Sequence, residues 1–109
     1  MPGRGRRWGI AVVRGRSMEP TLVDGDRLLV RYGAEPVAGR LAVVLLPGDV
    51  LAVKRLVRRH DSGHGPGWWV QRDNPLEGVD SRTVGALPDA DVRAIARCRI
   101  WPVRRRIRR

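Results

Sequence analysis

The sequence predicts an all-β domain, and three observations carry that reading. Apolar residues come in short runs rather than at helical spacing, the 13 Gly and 8 Pro fall between those runs, and Val and Leu dominate while Phe is absent. A chain of 109 residues suits one domain with one core and needs no disulfide to hold it.

After a basic arm over residues 1–9 comes a strand at 10–14, then the turn-forming segment GRSMEP. The Asp24-Gly25-Asp26 turn introduces a strand over Arg27–Tyr32. The continuous apolar run LAVVLL at 41–46 reads as a buried strand, and Pro47-Gly48-Asp49 turns it into a further strand over 50–57. HDSGHGPG at 60–67 has the composition of an exposed hairpin loop, with 68–71 as the returning strand. Residues 73–82, DNPLEGVDSR, read as irregular, with Asn-Pro starting a turn and Asp-Ser bonding nearby backbone. A last strand over 92–100 precedes a basic tail at 103–109, so the domain itself is expected over 10–102.

Composition narrows the function classes. The longest apolar runs fall far below the roughly 18–20 residues of a membrane helix, and the apolar part of the N-terminus is shorter than a signal-peptide core. A cytoplasmic location is the resulting expectation. The single cysteine, Cys98, lies in the alternating stretch AIARCRIW and reads as an inert strand thiol. No Cys or His cluster has zinc spacing, and no metal is expected. The formal net charge is +11, with much of the excess at the two ends. No nucleic-acid fingerprint accompanies it, so nucleic acid is not the expected partner, whereas peripheral contact with an anionic membrane fits the charge.

Two residues stand out chemically. Ser17 follows an apolar strand at a turn bounded by Gly15 and Pro20, which exposes a hydroxyl on a rigid support. A serine hydroxyl attacks well only when a neighbouring base takes its proton. His60 and His64 sit in the solvated loop. Lys54 is the only lysine, beside 21 arginines. Arginine cannot release its proton in a protein, whereas lysine can once its ammonium is moved into apolar surroundings. In VLAVKRLV, alternation places Lys54 on the face of Val50, Ala52 and Leu56, which is expected to be buried, with Val53, Arg55 and Val57 opposite.

The ordered segments SMEPTL (17–22), GDRLLV (25–30), VKRLV (53–57) and DNPLEGVDSR (73–82) together resemble the boxes of the signal peptidase I family of serine/lysine peptidases. The resemblance implies a partly barrel-shaped β catalytic domain of the signal-peptidase and LexA type. It implies Ser17 as nucleophile and Lys54 as general base, without a cofactor. The Ser17 N–H would hold the oxyanion, and a protein or peptide precursor would bind as an added extended strand. Met18 and Pro20 would pack and stiffen the nucleophile turn. Asp73, Asn74, Asp80, Ser81 and Arg82 would be structural near the site, Asp80 and Arg82 as a charged pair. Three positions depart from the pattern: Gly15 and Gly78 stand where relatives can have serine, and Arg72 where glycine precedes Asp-Asn. The short chain is most similar to maturation proteases of nickel-type superoxide dismutase, which would remove a leader so that the new α-amine can bind nickel. Signal-peptidase-like cleavage of exported preproteins at the membrane surface, and a self-cleaving or inactive regulatory module, are the alternatives.

Overall fold

The structure, a computed structural model, describes residues 7–102. The arm up to residue 6 and the basic tail at 103–109 lie outside the described residues. Seven strands form one antiparallel sheet: β1 (Trp8–Val12), β2 (Arg27–Tyr32), β3 (Leu41–Leu46), β4 (Val50–Asp61), β5 (Pro66–Gln71), β6 (Leu87–Pro88) and β7 (Val92–Trp101). A single helical turn, α1 (Ser81–Val84), and a 3-10 turn at Asp89–Asp91 complete the described elements. The expected all-β class is what the chain adopts. Strand order is β1-β2-β7-β3-β4-β5-β6, so β1 and β6 are the two edges and the sheet is open, not closed into a barrel.

Both faces of the central strands are covered, which explains the unbroken apolar run of β3. Leu41 joins Met18, Leu28, Val30 and Val53 in one buried cluster, while Ala42, Val44 and Leu46 join Leu56, Val70 and Ile95 in the other. Alternating residues thus serve opposite cores, as in strands buried on both sides. Each fully buried Leu or Val contributes on the order of 1.5–3 kcal/mol by leaving water. The face of Val50, Ala52 and Leu56 is the one expected to be buried, with Val53 opposite. Leu56 is buried, but Val50 is 53% exposed where β4 lines an open cleft, and Val53 is buried in the cluster of Val13 and Met18.

The hairpin of β4 and β5 is longer than its composition suggests. Both strands continue to Asp61 and from Pro66, so the loop is only the tip around Gly63 and Gly65, both at positive φ. Among the described residues no helix is long and apolar enough to cross a membrane.

Candidate active site

After β1 the chain turns sharply, and two carboxylates stabilise the turn. Asp24 accepts the Gly15 N–H at 2.7 Å, and buried Asp26 accepts the Val23 N–H at 3.0 Å while lying 3.7 Å from the Arg99 guanidinium. This accounts for the Gly-Asp start of the second box. Leu22 N–H donates to the Met18 carbonyl at 2.9 Å, closing a helical turn behind Ser17. Met18 anchors that turn in the core, and its sulfur accepts the Asp73 N–H at 3.4 Å. Pro20 is exposed at the far end of the turn.

Lys54 lies in β4 opposite Ala42 of β3. On its other side the pairing of β4 with β5 ends at Arg55 and Gln71, so the loop following β5 takes the place of a strand. The side chain is only 2% exposed, and its Nζ donates to the Ser17 Oγ at 2.9 Å. Residues 37 positions apart are therefore in direct contact. Burial is the main cause that lowers the Lys54 pKa from that of ordinary lysine; the Asp80 carboxylate opposes it and the Arg72 guanidinium adds to it. An amine that gives up its own proton more readily than ordinary lysine and touches a serine hydroxyl can, once neutral, accept the hydroxyl proton.

The 73–82 segment holds this pair in place. Asn74 N–H donates to the Ser17 carbonyl at 2.8 Å, and its side-chain amide donates to the Arg16 carbonyl at 2.9 Å. Asp73 receives Arg55 through two guanidinium nitrogens, at 3.0 and 2.7 Å, and the Thr21 hydroxyl at 2.6 Å. It thereby ties the nucleophile turn to the lysine strand. Burial alone would raise the Asp73 carboxyl, but those hydrogen bonds hold it below its usual range.

Asp80 is buried and caps α1, accepting the Arg82 N–H at 3.1 Å and the Arg72 N–H at 3.2 Å. The expected ion pair of Asp80 with Arg82 is not formed. The nearest guanidinium is that of Arg72, at 3.9 Å, because capping turns the Arg82 side chain outward and leaves only its amide on Asp80. Ser81 is buried and accepts the Val70 N–H at 2.8 Å, anchoring the segment to β5.

A cleft of about 570 Å³ opens over Ser17 and Lys54. Its walls are β1 with the chain leaving it, the first half of β4 including Val50 and Leu51, and the loop at Glu77, Gly78 and Val79. The Ser17 N–H makes no hydrogen bond among the described residues, whereas the Gly15 N–H is taken by Asp24. Gly15 is therefore spent on the turn. Gly78, at φ +106°, lies so close to Ser17 that a Cβ there would overlap the serine Cβ. A serine at this position would collide with the nucleophile. His60 and His64 belong to the β4–β5 tip and do not line the cleft. Cys98 is exposed on β7. Among the described residues no group of three or more His, Cys, Asp or Glu is arranged to hold a metal ion.

A β-sheet domain with a serine hydroxyl bonded to a buried amine, at the base of an apolar cleft, is the architecture of a serine-peptidase-type domain. Residues 3–98 match the family model described as Peptidase S24-like, and the chain belongs to that family. Among curated proteins none matches it.

Proposed function

We propose that the chain is a serine endopeptidase working through a Ser17–Lys54 dyad. The observation that carries this is the 2.9 Å contact between the Ser17 hydroxyl and a lysine amine only 2% exposed. Neutral Lys54 takes the Ser17 proton as Oγ bonds to the scissile carbonyl carbon. Collapse of the tetrahedral intermediate breaks the C–N bond, and the proton passes from Lys54 to the leaving amine. Water then attacks the acyl-enzyme, losing its proton to Lys54, which returns one to Ser17 Oγ. The Ser17 N–H is the donor assigned to the developing oxyanion; loss of one such donor costs on the order of 2.7–4 kcal/mol in other enzymes.

The substrate is an extended segment laid beside β1, whose outer edge pairs with no described strand. The apolar walls at Ile10, Val12, Val50 and Leu51 suit small apolar side chains. By the likeness drawn from its four sequence boxes, the substrate is the leader of a nickel-type superoxide dismutase precursor. The test is incubation with that precursor and mapping of the new N-terminus. A single cut at the leader junction, lost in Ser17→Ala and in Lys54→Ala, supports the reading; normal cutting by Lys54→Ala would overturn the dyad.

A second reading has its own observation. On the outward face of β1, β2 and β7, Arg31 stacks over Trp8 at 5.0 Å and Arg27 over Trp101 at 5.1 Å, with Ile10 exposed between them. None of these three strands contains an acidic residue, and Arg4, Arg6 and Arg7 precede them in sequence as Arg104, Arg105 and Arg106 follow. Paired Trp and Arg beside exposed aliphatics suit an anionic lipid surface. Cleavage of an exported preprotein there, dependent on anionic vesicles, would favour this substrate over the first.

A further inference from the structure

We propose that Arg72 is a positioning residue for the Ser17–Lys54 pair, its guanidinium folding the loop that presses on Ser17 and setting a fixed positive charge beside Lys54. The inference rests on the dyad reading above. Position 72 is where the family pattern has glycine, so nothing in that pattern assigns a role to its side chain.

The geometry is specific. Arg72 Nε donates to the Asn74 carbonyl at 2.9 Å, one terminal nitrogen to the Pro75 carbonyl at 3.0 Å, and the other to the Gly78 carbonyl at 3.1 Å. One planar cation thus gathers three carbonyls of a five-residue loop, a fork that a single ammonium cannot match. Both ends of that loop touch the nucleophile: Asn74 holds the Arg16 and Ser17 carbonyls, and Gly78 lies against the Ser17 Cβ. Opening the loop would release Ser17 on two sides.

The charge acts on the other partner. Of the groups that act on Lys54, Asp80 favours its ammonium and Arg72 disfavours it. Arg14 and Arg16 on the β1 exit and Glu77 on the loop line the same cleft. Gly78 leaves no hydroxyl to orient the amine. Burial favours the neutral amine most, and Arg72, whose guanidinium lies 3.9 Å from the buried Asp80 carboxylate, works against the pull of that carboxylate toward the ammonium.

The chain offers a direct readout, since Lys54 is its only lysine. Full-length protein labelled with 13C at lysine Cε gives one side-chain signal whose pH titration needs no substrate. In Arg72→Gln the midpoint is expected to move up, and the acidic limb of precursor cleavage to move up with it. In Arg72→Lys, which keeps the charge but not the fork, the midpoint is expected to stay near wild type while kcat falls on the order of tenfold to a hundredfold. If Arg72→Gln does not fold, Arg72→Met retains the aliphatic stem and takes its place. A wild-type midpoint in the folded neutral variant, or full kcat in Arg72→Lys, would overturn the proposal. Failure of the dyad is separately visible, as cleavage by Lys54→Ala with the titration still readable in the wild type.

Discussion

Gly78 and Ser17 touch backbone to side chain, with no room for a methyl group between them. Gly78 also sits at φ +106°, where residues with a Cβ are strained. Gly78→Ala is therefore expected to cost about 1–3 kcal/mol of stability and to abolish cleavage by displacing the nucleophile. Urea unfolding and product formation measure the two effects separately. An active, fully stable Gly78→Ala would show that the contact is dispensable.

Lys54→Met should separate chemistry from stability. The variant keeps a long apolar stem and removes a buried amine, so its unfolding midpoint is expected to match or exceed that of the wild type while cleavage is lost. Thermal unfolding beside a cleavage assay checks it. A large loss of stability would mean that the amine holds the fold as well as the hydroxyl.

The pH dependence follows from two shifts of the same direction. Lys54, with its folded pKa lowered mainly by burial, must be neutral to act, so cleavage rises with pH through a midpoint below that of an ordinary lysine. Its effect on stability has the matching sign. Below the folded pKa the unfolded chain and the buried site both carry the proton, and the desolvation penalty is present in full. The penalty is relieved as pH rises from the folded pKa toward the unfolded value of about 10.4. Asp73 works at the acid end: its stabilisation is complete above the unfolded carboxylate pKa of about 3.9 and is lost as pH falls through the lowered folded one. Urea midpoints at stepped pH, for wild type against Lys54→Met and Asp73→Asn, resolve both contributions.

Asp73→Asn breaks the two-pronged Arg55 contact at a largely buried site and leaves the guanidinium without its carboxylate. A loss of about 2–4 kcal/mol is expected. Asn74→Ala removes the amide that holds the Arg16 carbonyl and should cost about 1–2 kcal/mol, with kcat falling more than KM rises. Steady-state kinetics distinguish that pattern from a loss of substrate binding.

For the Trp and Arg face, Trp8→Ser combined with Arg31→Ser should weaken sedimentation with anionic vesicles and leave it unchanged, near zero, with neutral ones. Equal binding to both vesicle types would remove the electrostatic basis of the membrane reading.

Most strands were legible because alternation and turn residues are local signals: β2 and β3 fall where the pattern puts them, whereas β1 begins at Trp8, two residues before the expected strand. The extension of β4 to Asp61 was not legible, since Arg58, Arg59 and His60 look like loop yet are held by pairing with β5 and by stacking of Arg58 and Arg59 on Trp69 and Trp68. Helix α1 escaped notice because four residues carry no periodicity; the Asp80 cap alone marks it. At the site, Ser17 and Lys54 are the two residues that composition and box order single out, and their side chains lie 2.9 Å apart. The partner of Asp80 was not legible, since no rule of spacing says which of two nearby arginines a capping carboxylate will face. Arg72 was visible only as a departure, and its role depends on where three carbonyls converge.

An open sheet has a consequence for how copies of this chain meet. The outer edge of β1 pairs with no strand among the described residues and runs beside exposed Ile10 and Val12, which is the kind of surface on which strands of different molecules zip together. The binding mode proposed above needs this edge left unblocked. With a net charge of +11 on 109 residues, two copies repel before their edges align, and raising the salt concentration weakens that guard. The arginine excess thus doubles as a colloidal shield that leaves the edge vacant for an incoming chain of lower positive charge.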